Sequence, residues 1–580
     1  MADEARSRWA DILNGRQGRD YWRGVDELLD TPAFRDALER EFPLGAAEHA
    51  EGMNRRSFFK LLGASLALAG VGACTSMPEE KILPYVNQPP EITPGIPLHY
   101  ATSMVLDGYA TGLLVESHVG RPTKIEGNPD HPASLGASGV YEQASVLELY
   151  DPHRARRMHA PQGSTTWPAF AQMFGPSALR QNVGARGAGL RVLLEPTSSP
   201  LTAELLTRLR GVYPEAAVYF YASLDARAAI AGARSALGRP AQTQYDFRHT
   251  DVVVALDSDF LARGPFHLRY ARDFAARRRL ARPVDEMNRL YVAEAMFTPT
   301  GSLADNRVRV RASEVESLLA GLLAEVVIDL GMTPPGMPPS FADALERYRR
   351  SAASTAHREW IQAVARDLRA NTGRSIVIVG DQQPPSVHAM AHVLNAALAN
   401  VGTTVWYTEP PILDAGEPTH GLVPLMAELQ SGDVDTLVIL GGNPAYTAPV
   451  DFEFAHRLRA VPRTVYLGLY ENETADNVHW FVPAAHYLES WGDARARDGT
   501  ASIVQPLIAP LYDGRTVDEV LAVLTGARAT TAHALVQDAW RTRMGSADFD
   551  AFWDATLQRG FVSDSAFPRI GTALRWETLV

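Results

Sequence analysis

Residues 436–444 read TLVILGGNP, a β-branched residue and four aliphatic ones running straight into a glycine turn. A strand that is apolar on both faces has to be covered on both faces, which is the condition of a parallel strand flanked by helices. The same texture recurs on either side, at 190–195, 217–221, 251–256 with its run VVVAL, 375–380 with SIVIV, 403–407 and 464–469. Amphipathic helices separate these runs. Ser199-Pro200 supplies a cap and a first-turn proline, and Ser313 with Glu316 reads as a capping box ahead of Leu318, Leu319, Leu322 and Leu323. The pattern predicts a doubly wound α/β fold with parallel-sheet layers over 166–470, followed over 471–580 by a loop-rich, β-containing and helical part.

A glycine turn at the carboxyl end of a parallel strand brings backbone N–H groups close to a nucleotide phosphate. Gly441, Gly442, Asn443 and Pro444 stand in that position after one strand, and Gly380-Asp381 after another. Strand-to-helix turns also use glycine for conformation alone, so both readings stand at these six residues.

Composition narrows the chemistry. A net charge of -12 with no basic stripe excludes nucleic acid as a partner. A single cysteine excludes intrachain disulfides, Cys-ligated iron–sulfur clusters and CxxC zinc sites from this sequence. No P-loop, HExxH or GxSxG motif is present.

Residues 53–76, MNRRSFFKLLGASLALAGVGACTS, hold that cysteine. Arg55-Arg56, then Lys60 and an apolar run shorter than the roughly 20 residues that cross a bilayer, read as an export signal of the twin-arginine type. Cys74 follows Val71-Gly72-Ala73, the pattern of a lipidation site; a signal left uncut there is the alternative. Acyl chains on Cys74 would hold the protein at the membrane surface. Ahead of the signal, 1–52 reads as a helical extension, with Thr31-Pro32 as a helix start and Phe34, Leu38 and Phe42 at four-residue spacing. Either Met53 is the true start or the signal follows an extension. Residues 77–100, rich in proline, read as a linker.

The segment 101–165 opens with a hairpin, 113–117 against 123–126, ending in Gly127-Asn128-Pro129-Asp130-His131-Pro132; then 144–150 leads to Asp151-Pro152-His153-Arg154. Downstream of 441–444 come Glu473-Thr474-Ala475-Asp476, Val482-Pro483-Ala484, Glu489, Gly492, Gly499 and Gln505-Pro506. In this order the motifs resemble the molybdopterin oxidoreductases of the DMSO-reductase type, over roughly 100–524. The resemblance implies that family's α/β fold and, in its active members, a molybdopterin guanine dinucleotide, which here would meet Gly380, Asp381 and 441–444. Two departures stand against it. The family's cysteines for a [4Fe-4S] centre near the first hairpin have no counterpart in 100–114, and no cysteine or selenocysteine is placed to ligate molybdenum.

One branch of the family combines these losses with a helical leader before an internal twin-arginine signal: the B subunits of alternative complex III, a bacterial quinol oxidoreductase. The leader here, from Tyr21-Trp22-Arg23 to Glu41-Phe42-Pro43, is similar to theirs. That resemblance implies an exported, structural subunit on the periplasmic face of the inner membrane, with no catalytic residue, metal or cofactor of its own. The implied partners are an iron–sulfur (ferredoxin-like) protein, a multihaem cytochrome c subunit and integral membrane quinol-binding subunits. The iron–sulfur half that follows in that branch is expected on a separate polypeptide or on a continuation of this one. The alternative is an active molybdenum enzyme with a non-cysteine ligand.

Overall fold

The computed structural model describes residue 93 and residues 95–579, except 225–226, 280–286, 350–355, 414–417 and 546–547. The twin-arginine pair Arg55-Arg56, Lys60, Cys74 and the extension 1–52 lie outside the described residues, with most of the stretch read as linker.

Two parallel sheets organise the described chain. In the larger one, Trp480–Pro483, Arg463–Gly468, Thr436–Leu440, Leu190–Leu194 and Ala217–Phe220 lie side by side, all parallel. A short antiparallel pair, His159–Ala160 and Gly163–Ser164, extends its edge. The smaller sheet runs Asn306–Arg309, Arg289–Glu294, Val252–Leu256, Ser375–Val379, again all parallel. The chain leaves the larger sheet after Phe220, builds the smaller one, and returns at Thr436.

Alternation along each strand serves two cores at once. Val192, Leu194, Val438 and Leu440 face Leu205 and Leu209 of helix Pro200–Val212 and Val520 and Leu521 of helix Val517–Thr525. Leu193, Leu437 and Ile439 face Leu425 and Leu429 of helix Leu422–Ser431 on the other side. In the smaller sheet Val252, Val254 and Val377 face Leu319 and Val364, while Val253, Ala255 and Ile376 face Tyr270 and Phe274. Each such fully buried aliphatic side chain contributes about 1.5–3 kcal/mol, which is why aliphatic residues dominate these runs.

An antiparallel meander, Leu98–Leu106, Tyr109–His118 and Arg121–Gly127, precedes both sheets. Its first strand takes the last three residues of the stretch read as linker, because Leu98, His99 and Tyr100 pair with Ser117, Glu116 and Val115. Two other expectations are corrected. The run at 403–407 is not a parallel strand: Val405–Thr408 pairs antiparallel with Gln242–Tyr245, apart from both parallel sheets, and four mostly buried residues do not fix the direction of a partner. Ser313 does not cap its helix. A hydrogen bond from the Arg311 N–H to Glu314 Oε2 closes a tighter turn over Ala312–Glu314, and the α-helix starts at Val315. Ser199 caps as expected, its Oγ accepting from the Thr202 N–H at 3.0 Å, and Thr516 forms a true capping box with Glu519.

Among the described residues, no helix is long and apolar enough to cross a membrane.

Candidate functional site

Each parallel sheet has a point where strand order reverses. In the larger sheet the chain departs from Leu190–Leu194 towards Ala217–Phe220 and from Thr436–Leu440 towards Arg463–Gly468; the gap between the first strands of these two runs is a topological switch point. In the smaller sheet the switch lies between Val252–Leu256 and Ser375–Val379. Loops at the carboxyl ends of strands diverge at such points and leave a crevice. Both crevices open into one cavity of about 700 Å³. The structure therefore brings Gly380 and Asp381 together with Gly441, Gly442, Asn443 and Pro444 in its lining, although more than sixty positions separate them in sequence.

The larger-sheet turn is satisfied from within the chain. Gly441 (φ 87°) and Gly442 (φ 69°) take the left-handed conformation that glycine adopts without strain. The Gly441 N–H donates to the Leu467 carbonyl at 3.0 Å, and the Gly442 carbonyl accepts from the Tyr466 hydroxyl at 2.6 Å. The Glu195 carboxylate packs against this turn, close enough for the Gly442 N–H to favour its charged form; a Cβ on Gly442 would lie 3.5 Å from Glu195 Oε1. A Cβ on Gly441 would come within 2.7 Å of Glu195 Oε2. Asn443 is held by Thr474, whose Oγ donates to Asn443 Oδ1 at 2.7 Å, and donates its own amide to Glu473 at 2.7 Å.

At the smaller-sheet turn, a Cβ on Gly380 would meet the Asp257 carbonyl oxygen at 1.9 Å. Glycine is required there by close packing of two strand ends, independently of any ligand. Gln383 donates to Asp257 Oδ2 at 2.9 Å, and Asp259 accepts from both the N–H and the hydroxyl of Thr300.

The other family-like motifs also end in internal bonds. Arg154 and Glu489 form a bidentate ion pair of 3.1 and 2.6 Å, with both side chains 1% exposed. His131 accepts at Nδ1 from the Gly112 and Ala133 N–H groups and meets Ser502 Oγ with Nε2 at 3.0 Å. Asn128 donates to the Arg559 carbonyl and Gln505 to the Leu557 carbonyl. These residues join the meander to the C-terminal part.

Side chains mostly not singled out from the sequence give the cavity its charge. Asp107, Glu195, Asp257 and Asp259 line it together with the expected Asp381, against Arg263 and Arg497. Burial pushes the Glu195 carboxyl up; the Gly442 N–H opposes this and the Asp107 carboxylate adds to it. His388 and His392, one turn apart on helix Pro385–Ala397, also line the wall. The sequence did hold a signal for the acids: Glu195 directly follows LRVLL and Asp257 directly follows VVVAL, each at the carboxyl end of a strand.

A molybdopterin guanine dinucleotide carries phosphates, which require cations and free N–H donors. Here a carboxylate lies against the glycine turn, and acids outnumber arginines around it. Among the described residues, no group of three or more His, Cys, Asp or Glu side chains is placed to hold a metal ion. The donor set does not fit that cofactor.

The fold is that of the molybdopterin oxidoreductases. Acetylene hydratase from Pelobacter acetylenicus superposes with a TM-score of 0.59 at 12% identity, over 80% of this chain and 74% of that one. In sequence the chain is similar to the menaquinone reductase, molybdopterin-binding-like subunit of Nitratidesulfovibrio vulgaris, 24% identical over 449 residues. The match covers 72% of this chain and 63% of that subunit, so it spans less than two thirds of the relative's length. No family model matches the sequence.

Proposed function

We propose that this chain is a molybdopterin-oxidoreductase-like subunit of a respiratory quinone oxidoreductase, and that it binds no pterin dinucleotide and serves as a scaffold. The observation that carries the proposal is the Glu195 carboxylate packed against the Gly441-Gly442 turn, where the family resemblance would set the pterin dinucleotide. The reading is supported by the relative's name, which places it in a menaquinone reductase and calls it molybdopterin-binding-like. A polypeptide with one cysteine and no bound redox group cannot itself carry electrons from a quinol. Its work is then to position subunits that do.

In the finer form of this proposal the complex is alternative complex III. The partners are an iron–sulfur ferredoxin-like protein, a multihaem cytochrome c and integral membrane quinol-binding subunits. Export follows the twin-arginine route through Arg55, Arg56 and Lys60, and attachment to the periplasmic face of the membrane is by the partners or a lipid on Cys74. Purification of the native protein from detergent-solubilised membranes, with mass spectrometry of what accompanies it, tests this. Recovery with haem c and iron–sulfur subunits is expected; recovery as a lone soluble chain would remove the scaffold reading.

The second reading, an active molybdenum enzyme, draws on one observation: both candidate glycine turns border the same cavity. It requires Glu195 to give way to a phosphate.

A further inference from the structure

We propose that the cavity between the two switch points binds a small organic cation, an ammonium or guanidinium compound, through the carboxylates of Glu195, Asp257 and Asp259 and through Nε2 of His388. The proposal rests on the reading that no pterin dinucleotide fills this space.

Acceptors dominate the lining. Glu195, Asp257 and Asp259 form no ion pair with any described residue, so no cation among the described residues balances their charge within bonding reach. Of the two arginines on the wall, Arg497 is buried and gives its Nε and Nη2 hydrogens to the Thr243 carbonyl. Arg263 is exposed.

His388 points to a ligand independently of these acids. It is 6% exposed and lines the cavity, and its Nε2 is buried without a hydrogen-bond partner. A buried polar atom left unpaired costs about 1–3 kcal/mol, so the fold gains if something supplies the missing bond. Burial pushes the imidazole down to about 4, against hydrogen bonding to the backbone of Gln383 and Gly380, so the ring is neutral at pH 7. In the tautomer that carries its proton on Nδ1, Nε2 presents a lone pair and accepts only from a donor. An ammonium or guanidinium group is donor-only and positively charged, matching both the histidine and the carboxylates. Tyr109, Tyr245 and Phe260 on the same wall add aromatic surface against which a cation packs favourably.

The test is calorimetric titration of the full chain with agmatine, with guanosine diphosphate as an anion of comparable size. Saturable agmatine binding that weakens at high salt, and no binding of guanosine diphosphate, is the expected result. Glu195→Gln and His388→Leu, each checked by circular dichroism, should each weaken agmatine by about tenfold or more. Should either variant fail to fold, the wild-type affinity for agmatine still has to fall as pH is lowered, because protonation removes both kinds of acceptor. No agmatine binding, agmatine binding indifferent to both substitutions and to pH, or preferential binding of guanosine diphosphate would overturn the proposal. Pterin in the native protein would defeat the preceding reading; pterin-free protein that ignores agmatine would defeat only this one.

Discussion

Arg154 and Glu489 are sealed from solvent and paired with each other, whereas Glu195, Asp257 and Asp259 sit around a cavity with no paired cation among the described residues. The first arrangement joins the segment after helix Val140–Leu149 to the C-terminal part across 335 positions of sequence. There, the two charges gather further bonds: Glu489 also accepts from the Leu511 and His486 N–H groups, and Arg154 also donates to the Leu149 carbonyl, with its Nε left without a hydrogen-bond partner. The second arrangement spends no cation on its acids. Charge that serves the fold is neutralised inside the fold; charge left without a partner marks the surface that meets something else.

Breaking the paired region should have the largest effect. Arg154→Ala leaves a buried carboxylate without its cation, and a loss of about 3–5 kcal/mol in urea denaturation is expected. Burial alone would raise the Glu489 carboxyl, but Arg154 and the two N–H groups hold it below the ordinary value. Its contribution is therefore present above the unfolded-state pKa and lost as pH falls through the folded one, so acid should loosen the wild type and affect Arg154→Ala less.

A buried acid without a cation should behave in the opposite sense. Asp518, on the helix packed against Pro200–Val212, is pushed up to about 7 by burial, with Asp493 adding to the shift, and accepts from the Thr202 hydroxyl at 2.7 Å. The folded state binds the extra proton between the unfolded-state pKa and about 7, so this group's contribution declines as pH rises through that window. Asp518→Asn keeps the acceptor and removes the decline: a gain of about 1–3 kcal/mol at pH 8 and little change at pH 4 is expected in parallel denaturation curves.

Gly441→Ala tests the turn itself. A side chain at φ 87° and 2.7 Å from Glu195 Oε2 should cost about 1–2 kcal/mol in thermal unfolding. Glu195→Gln should have the smallest effect, a gain of a few tenths of a kcal/mol or none at pH 8, since solvent in the cavity screens its charge. A large loss would mean that Glu195 is structural and would erase the contrast with Glu489.

Much of this architecture was legible in the sequence. Runs such as VVVAL, SIVIV and TLVIL have to be buried on both faces, so they announced parallel strands wherever they occurred. Arg289–Glu294 and the edge strand Asn306–Arg309 did not announce themselves, the latter because its four residues are at most half buried and carry polar side chains. Gly380 and 441–444 were readable as strand-end turns, yet not their meeting in one cavity, which depends on the chain leaving one sheet after Phe220 and coming back at Thr436. Glu195 was readable as an acid at a strand end, but its neighbour was not: only the pairing of Leu190–Leu194 with Thr436–Leu440 sets it beside the glycine turn. Arg154 and Glu489 were visible as motif residues without any sign that they touch.

The central claim is that the pterin position of this fold is taken by the chain's own carboxylate. Molybdenum and oxidised-pterin content of the protein purified from its native membrane tests this most directly. The account predicts neither above background in the isolated polypeptide; stoichiometric molybdenum with pterin would contradict it.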